Sequence, residues 1–198
     1  MSNGHKRLLN NMKKFMLAAV VLMTSTAAKA QNEIGQVSIG PVVGLNIAST
    51  TGYDAKSMTS FVVGVTTERS FVENLGLSID ILYSMQGARV KSSNDKLELN
   101  YLNFPILFNG YPCKGLALKT GIQPGFLLSA KAGNINLLDY CEVVDISIPF
   151  GISYESNNMV IDFRYNFGLK GIVDVDDAAK NSVFQLTLGY KFKFKPIN

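Results

Sequence analysis

The stretch "MVIDFRYNFGLK", residues 159–170, alternates without a break. Met159, Ile161, Phe163, Tyr165, Phe167 and Leu169 share one parity; Val160, Asp162, Arg164, Asn166, Gly168 and Lys170 share the other. Successive side chains of a strand point to opposite faces, so this period makes a ribbon with one apolar face and one largely polar face. A helix, with a 3.6-residue period, cannot present it. "LGLSIDILYSMQG" (75–87) repeats the pattern with Leu82 as its exception. At the end of the chain Phe184, Leu186, Leu188, Tyr190, Phe192 and Phe194 oppose Gln185, Thr187, Gly189, Lys191 and Lys193.

Carried along the chain, the alternation predicts eight strands, at 36–48, 59–70, 75–90, 97–111, 115–130, 143–155, 158–170 and 182–194. In the fourth, Leu102, Phe104, Ile106 and Phe108 share a face, while Leu97 and Leu99 take the opposite phase. A bulge near Tyr101, or a strand that starts there, would account for the change. There is no low-complexity linker or composition break, so residues 31–198 read as one domain.

Strand length decides what the apolar face meets. Strands of soluble proteins usually run to about five or six residues. These exceed even the roughly 9–11 that a tilted membrane strand needs. Three connections are short, "FVEN" (71–74), "YPCKG" (111–115) and "ESNN" (155–158). They alternate with longer ones at 49–58, 91–96, 131–142 and 171–181. Antiparallel neighbours joined this way gather the short turns at one end and the long loops at the other. That is the plan of an outer-membrane barrel, with periplasmic turns and extracellular loops. Lipid offers no hydrogen bonds, so the strands must close on themselves. The expected fold is therefore all-β, an eight-stranded antiparallel up-and-down transmembrane β-barrel with both termini periplasmic. Phe163, Tyr165, Phe167, Tyr190, Phe192 and Phe194 are expected to face lipid, the last three in the periplasmic girdle.

Residues 1–30 read as an export signal. "MKKFMLAAVVLMTSTAAKA" starts at Met12 with a basic head, an apolar run from Phe15 to Met23 and the small-residue end Ala28-Lys29-Ala30. Cleavage is expected between Ala30 and Gln31, and Met12 is an alternative start. The apolar run is too short to span a bilayer core of about 30 Å. Its removal changes the charge argument. Five of the nineteen basic residues and none of the fifteen acids lie in residues 1–30, which leaves fourteen bases against fifteen acids. No basic patch is left for a nucleic-acid partner.

The polar parity places Glu68, Asp80, Lys119, Asp145, Asp162, Arg164, Lys170 and Lys191 in the lumen. Buried charges need partners, and an eight-stranded barrel is only wide enough for its side chains to fill it or for one small ligand. An ion-pair network of structural role is the expected content. The rival reading is a functional polar site in the lumen.

Several chemistries are excluded or weakened. The single histidine, His5, lies in the signal segment. A Ser–His or Asp–His hydrolase needs an imidazole to move its proton, and zinc loses its commonest ligand. "GIQPG" (121–125) lacks the spacing of a phosphate loop. The acidic loop "DVDDAAKN" (174–181) offers Asp174, Asp176 and Asp177 to calcium but lacks the glycine and distal glutamate of an EF-hand. No enzymatic activity, cofactor or metal is expected. Cys113 falls in a short turn and Cys141 at the far end of the barrel. A strand length separates them, beyond the roughly 7 Å that a bridge tolerates, so no intramolecular disulfide is expected.

The segments "IGPVVGLNIAS" (39–49), "ILYSMQGARVK" (81–91), "LNYLNFPILFNGY" (99–111), "LKTGIQPGFLLSAK" (118–131), "DFRYNFGLKGI" (162–172) and "FQLTLGYKF" (184–192) run in order through nearly the whole exported chain. In them the sequence resembles the PorT-like outer-membrane β-barrel family common in Bacteroidota. The tail "KPIN" departs from that pattern, since barrel-assembly signals usually end at the terminal aromatic. The resemblance implies an outer-membrane barrel that meets lipid, lipopolysaccharide and the barrel-assembly machinery. It also implies, for the namesake, a part in type IX secretion.

Three functions follow. The first is a structural or interaction barrel with a closed polar lumen. The second is an accessory of a secretion or transport system that docks a periplasmic protein through turns such as 111–115. The third is a periplasmic lipocalin-like binder of an apolar ligand, with the two faces inverted.

Overall fold

A computed structural model describes residues 34–51, 55–90, 96–133, 135–172 and 180–194. The first strands are β1 (Val37–Thr51), β2 (Ala55–Val72) and β3 (Leu75–Val90). The fourth stave is two strands in line, β4 (Lys96–Asn103) and β5 (Ile106–Cys113). Then come β6 (Leu116–Ala132), the two-residue β7 (Ile135–Asn136), a 3₁₀ turn (Leu138–Tyr140), β8 (Val144–Ser156) and β9 (Met159–Gly171). The last stave is β10 (Lys180–Tyr190) continued by β11 (Phe192–Phe194).

Each stave pairs antiparallel with the next, and the first pairs with the last. Val37 stands opposite Phe194, Val42 opposite Gly189 and Thr51 opposite Lys180. The sheet is thus a closed barrel of eight staves, as the alternation predicts. Closure leaves no unpaired edge.

Three connections are two-residue turns at 73–74, 114–115 and 157–158. Asn157 and Asn158 both have positive φ, 49° and 69°. That is the pairing a type I′ hairpin demands, and asparagine tolerates it. The strands run further toward the opposite end than expected: β1 reaches residue 51 and β2 begins at 55. Both ends of the barrel sheet, Val37 and Phe194, lie on the side of the short turns.

The faces are sorted as the parity requires. The outward residues are large and apolar, with Phe61 67% exposed, Phe108 65% and Ile161 54%. The inward ones include Glu68, Asp80, Asp162, Arg164 and Lys191, all buried. The lipocalin-like alternative needed the reverse, greasy inside and charged outside, and the structure overturns it.

Two irregularities have physical causes. Leu82 points inward with Val42 and Val62, forming a small apolar cluster inside the wall. The fourth stave keeps one phase throughout: Leu99, Tyr101, Asn103, Pro105, Leu107, Asn109 and Tyr111 are all buried. The register does shift between Asn100 and Tyr101, but the extra residue is on β6, where Ser129 pairs with Asn100 and Leu127 with Tyr101. The bulge expected near Tyr101 therefore belongs to its partner strand at Leu128. Leu99 breaks the apolar-outward pattern because the lumen itself is apolar at that height.

Candidate functional site: the lumen and its two mouths

The interior is layered. Nearest the turns, the Tyr111 hydroxyl donates to Glu68 Oε1. Lys191 Nζ bridges Glu68 Oε2 at 2.9 Å and Glu155 Oε2 at 3.0 Å. Lys193 Nζ holds the other Glu155 oxygen at 2.5 Å. Gly76 makes room for this cluster: a Cβ there would come within 2.9 Å of Glu68 Oε1.

At mid-height Lys119 Nζ pairs with Asp162 Oδ2 at 2.7 Å. Arg164 reaches Asp80 Oδ2 at 3.4 Å and Asp162 Oδ1 at 3.3 Å. The Thr66 hydroxyl donates to Asp80 Oδ1 at 2.6 Å. All four charged groups are nearly buried. A cavity of about 30 Å³ remains among Thr66, Asp80, Lys119, Asp162, Arg164 and Gln185. That is room for roughly two waters.

Above it lies a layer of neutral polar contacts. Asn46 Nδ2 donates to Ser84 Oγ at 2.9 Å and to the Met85 carbonyl at 2.8 Å. Gln123 Nε2 donates to Ser147 Oγ at 3.2 Å. The Asn46, Gln123 and Asn166 side-chain oxygens have no hydrogen-bond partner among the described residues, and small buried waters are the usual way such groups are satisfied.

The loop-end mouth is apolar. Leu99, Tyr101, Leu127, Ala130 and Ile172 form a buried cluster on which Leu97, Leu137, Leu138 and Cys141 pack. The segment between β6 and β8 thus folds over the opening as a plug. Backbone bonds hold it: Leu137 N to Ala130 O at 2.9 Å, and Glu142 N to Ile172 O at 2.8 Å. Burial pushes the Cys141 thiol above its ordinary pKa.

Six of the eight residues expected in the lumen network, Glu68, Asp80, Lys119, Asp162, Arg164 and Lys191, are ion-paired inside the barrel. Asp145 is inside and buried, but it has no ion pair among the described residues; the Asn181 side chain hydrogen-bonds it. Lys170 does not belong to the network. It has the inward parity but sits at the rim, 45% exposed, where it pairs with Glu142 at 2.5 Å. The register shifts there: between the pairs Phe167–Ser182 and Gly171–Lys180, three residues of β9 stand opposite Asn181 alone, and this bulge turns Lys170 outward although Ile172 beyond it is buried again.

Sequence reasoning missed Glu155, Tyr111 and the plug. Glu155 lies ten residues from Asp145 with the same parity, and Tyr111 shares the parity of Asn103 and Asn109, so strict phase counting finds both. The plug has no periodic signal. Phe163, Tyr165, Phe167, Tyr190, Phe192 and Phe194 are all on the outer face. Phe184 stacks with Phe163 at 6.1 Å and lies 4.6 Å from the Tyr165 ring. Cys113 and Cys141 are free thiols near opposite ends. Among the described residues no cluster of His, Cys, Asp and Glu could hold a metal. Asp174, Asp176 and Asp177, and the Ala30–Gln31 junction, lie outside the described residues.

The model of a family described as "Outer membrane protein beta-barrel domain" matches residues 29–174. Among solved structures, Ail, the attachment invasion locus protein of Yersinia pestis, crystallised with the heparin analogue sucrose octasulfate, superposes with a TM-score of 0.54 at 16% identity. The match covers 81% of this chain and 100% of that one. The neisserial surface protein A superposes with a TM-score of 0.53 at 13% identity, covering 80% of this chain and 99% of that one. Identities this low speak for the fold alone. No curated protein matches the sequence.

Proposed function

Since this chain belongs to the outer membrane protein beta-barrel domain family, we propose that it is a non-enzymatic structural and interaction barrel of the outer membrane. One observation carries this reading: the lumen is filled. Ion pairs occupy its lower half, a plug packs on its upper mouth, and the cavity among the mid-height pairs is only about 30 Å³. Such a barrel can neither pass solutes nor hold more than a water or two. What it offers the cell is its surface, with an apolar belt for lipid and two rims for partners.

In this reading residues 1–30 are a leader removed at Ala30. The turns and both termini face the periplasm, and the longer loops face lipopolysaccharide. The barrel-assembly machinery inserts the chain. The ion-pair network acts as the rigid core that a soluble protein would build from leucine and valine.

Conductance tests it. Reconstituted into a planar lipid bilayer, the folded protein gives no steady ohmic current. A sustained current of a water-filled pore would overturn the closed-lumen reading.

The secretion-accessory role implied by the PorT-like resemblance is the second reading. Cys113, a free thiol exposed beside the Lys114–Gly115 turn, gives the handle that tests it. A thiol-directed cross-linker on Cys113 in intact envelopes either captures one periplasmic protein in stoichiometric yield or leaves the structural reading alone.

A further inference from the structure

The network at the turn end is balanced, and one cation beside it is not. Glu68 and Glu155 are matched by Lys191 and Lys193. The pairs at mid-height, Asp80 and Asp162 with Arg164 and Lys119, are balanced as well. Lys114, on the two-residue turn after β5, has no carboxylate partner among the described residues.

Lys114 lines a groove of about 380 Å³ at the rim. Its other walls are Gly115, Tyr154, Glu155, Asn157 and Lys193. The Glu155 N–H donates to the Gly115 carbonyl at 2.7 Å and ties the floor together. The groove is mostly polar and open. Its surplus charge is positive, and Asn157 adds a carboxamide donor. A single anionic group completes it.

The outer wall says where that group comes from. Tyr154 belongs to the outward face and is 55% exposed. It stands opposite Ile161, 54% exposed, and two residues along its own strand is Ile152, 43% exposed. The groove therefore opens at the border of the apolar belt, where headgroups meet acyl chains. A lysine at that border keeps its ammonium among phosphates while its stem covers apolar surface.

We propose that this groove holds the headgroup of an anionic phospholipid from the leaflet on the turn side. The phosphate sits on Lys114 beside Lys193, and an acyl chain lies along Tyr154, Ile152 and Ile161. A bound lipid there supplies the negative partner that Lys114 lacks among the described residues.

The test is native mass spectrometry of the folded barrel in detergent, titrated with phosphatidylglycerol or phosphatidylcholine. Phosphatidylglycerol adducts are expected to exceed phosphatidylcholine adducts about fivefold, the order that one lysine near an anionic surface confers. Lys114→Gln removes the preference, Lys114→Arg keeps it, and Lys131→Gln at the opposite end leaves it unchanged. Folding of each variant is checked by the shift in gel mobility on boiling. Equal retention of the two lipids, or the same loss in Lys131→Gln as in Lys114→Gln, overturns the site. Displacement of phosphatidylglycerol by equimolar inorganic phosphate or by an acidic heptapeptide overturns the lipid assignment, marking a free-anion or a peptide site instead.

Discussion

Arg164 in β9 and Asp80 in β3 face each other across the full width of the barrel. Three staves separate them in either direction, yet their side chains meet at 3.4 Å. Tyr101 in β4 and Asn181 in β10 are likewise diametrically opposed and meet at 3.3 Å. Contacts of this kind brace the wall from inside and narrow the lumen at two heights.

The Arg164 brace predicts an asymmetric response to mutation. Arg164→Met leaves Asp80 and Asp162 without their shared cation, though Lys119 stays on Asp162. Removing one partner of a buried pair strands a charge, so the loss is expected to be about 3–5 kcal/mol. Asp80→Asn keeps the Thr66 hydrogen bond and is expected to lose about 1–3 kcal/mol. The double variant should lose less than the two together, because the stranded charge is gone. The chain has no tryptophan, so urea unfolding in vesicles is followed by the folded band on gels. Strict additivity would show that the two side chains do not interact.

Barrel closure depends on a close approach at Gly40. A Cβ there would overlap the Tyr190 carbonyl oxygen across the seam between β1 and the last stave. Pro41 beside it has no N–H to give to the seam. Gly40→Ala is expected to cost about 3 kcal/mol, the upper end of overpacking penalties, and to lower the yield of heat-modifiable barrel. Gly189→Ala, on the facing strand, meets nothing nearer than the Pro41 oxygen at 3.3 Å and should be milder. Equal behaviour of the two variants would place the constraint elsewhere.

Much of this architecture is written in parity. The outward set from Phe163 to Leu169 and the inward set from Asp162 to Asn166 follow from counting by twos, because a barrel wall separates two solvents and each residue must choose one. What parity cannot carry is height. Lys170 counts as inward but stands exposed at the rim, since the bulge of β9 opposite Asn181 leaves no mark in the alternation. Leu97 and Leu99 look out of phase because the lumen turns apolar where the plug enters. The plug is built from Leu137, Leu138 and Cys141, which meet the wall through tertiary packing that has no period. Partner choice is equally hidden. Asp145 and Glu155 have the same parity on the same strand, and only three-dimensional spacing gives Lys191 to one and leaves the other to Asn181.

Tyr101 separates the plug's packing from its hydrogen bond. Tyr101→Phe keeps the ring in the apolar cluster and loses the contact to Asn181 Nδ2, an expected cost of about 1 kcal/mol. Tyr101→Ala empties the centre of the cluster, an expected cost of about 3–5 kcal/mol. The urea midpoint of the gel-resolved folded band ranks them. If the two variants matched, the ring would contribute nothing and the plug would not be packed on it.

The two free thiols report whether the plug stays shut. Cys113 is exposed on the turn side, whereas Cys141 is half-buried against Leu138 and the mouth. Maleimide reacts with the thiolate, and burial has raised the Cys141 pKa. A raised pKa means less thiolate at neutral pH. Its labelling rate should therefore keep climbing with pH beyond the ordinary thiol range near about 8.5, and remain slower than that of Cys113. Glu142→Gln breaks the half-exposed pair with Lys170 but leaves the backbone bond from Glu142 N to Ile172 O. A pair so exposed is worth under about 1 kcal/mol, so Cys141 labelling should quicken by no more than about fivefold. Mass-resolved labelling of the folded protein in vesicles gives both rates at once. Cys141 reacting as fast as Cys113 in the unmodified chain would mean that the mouth stands open.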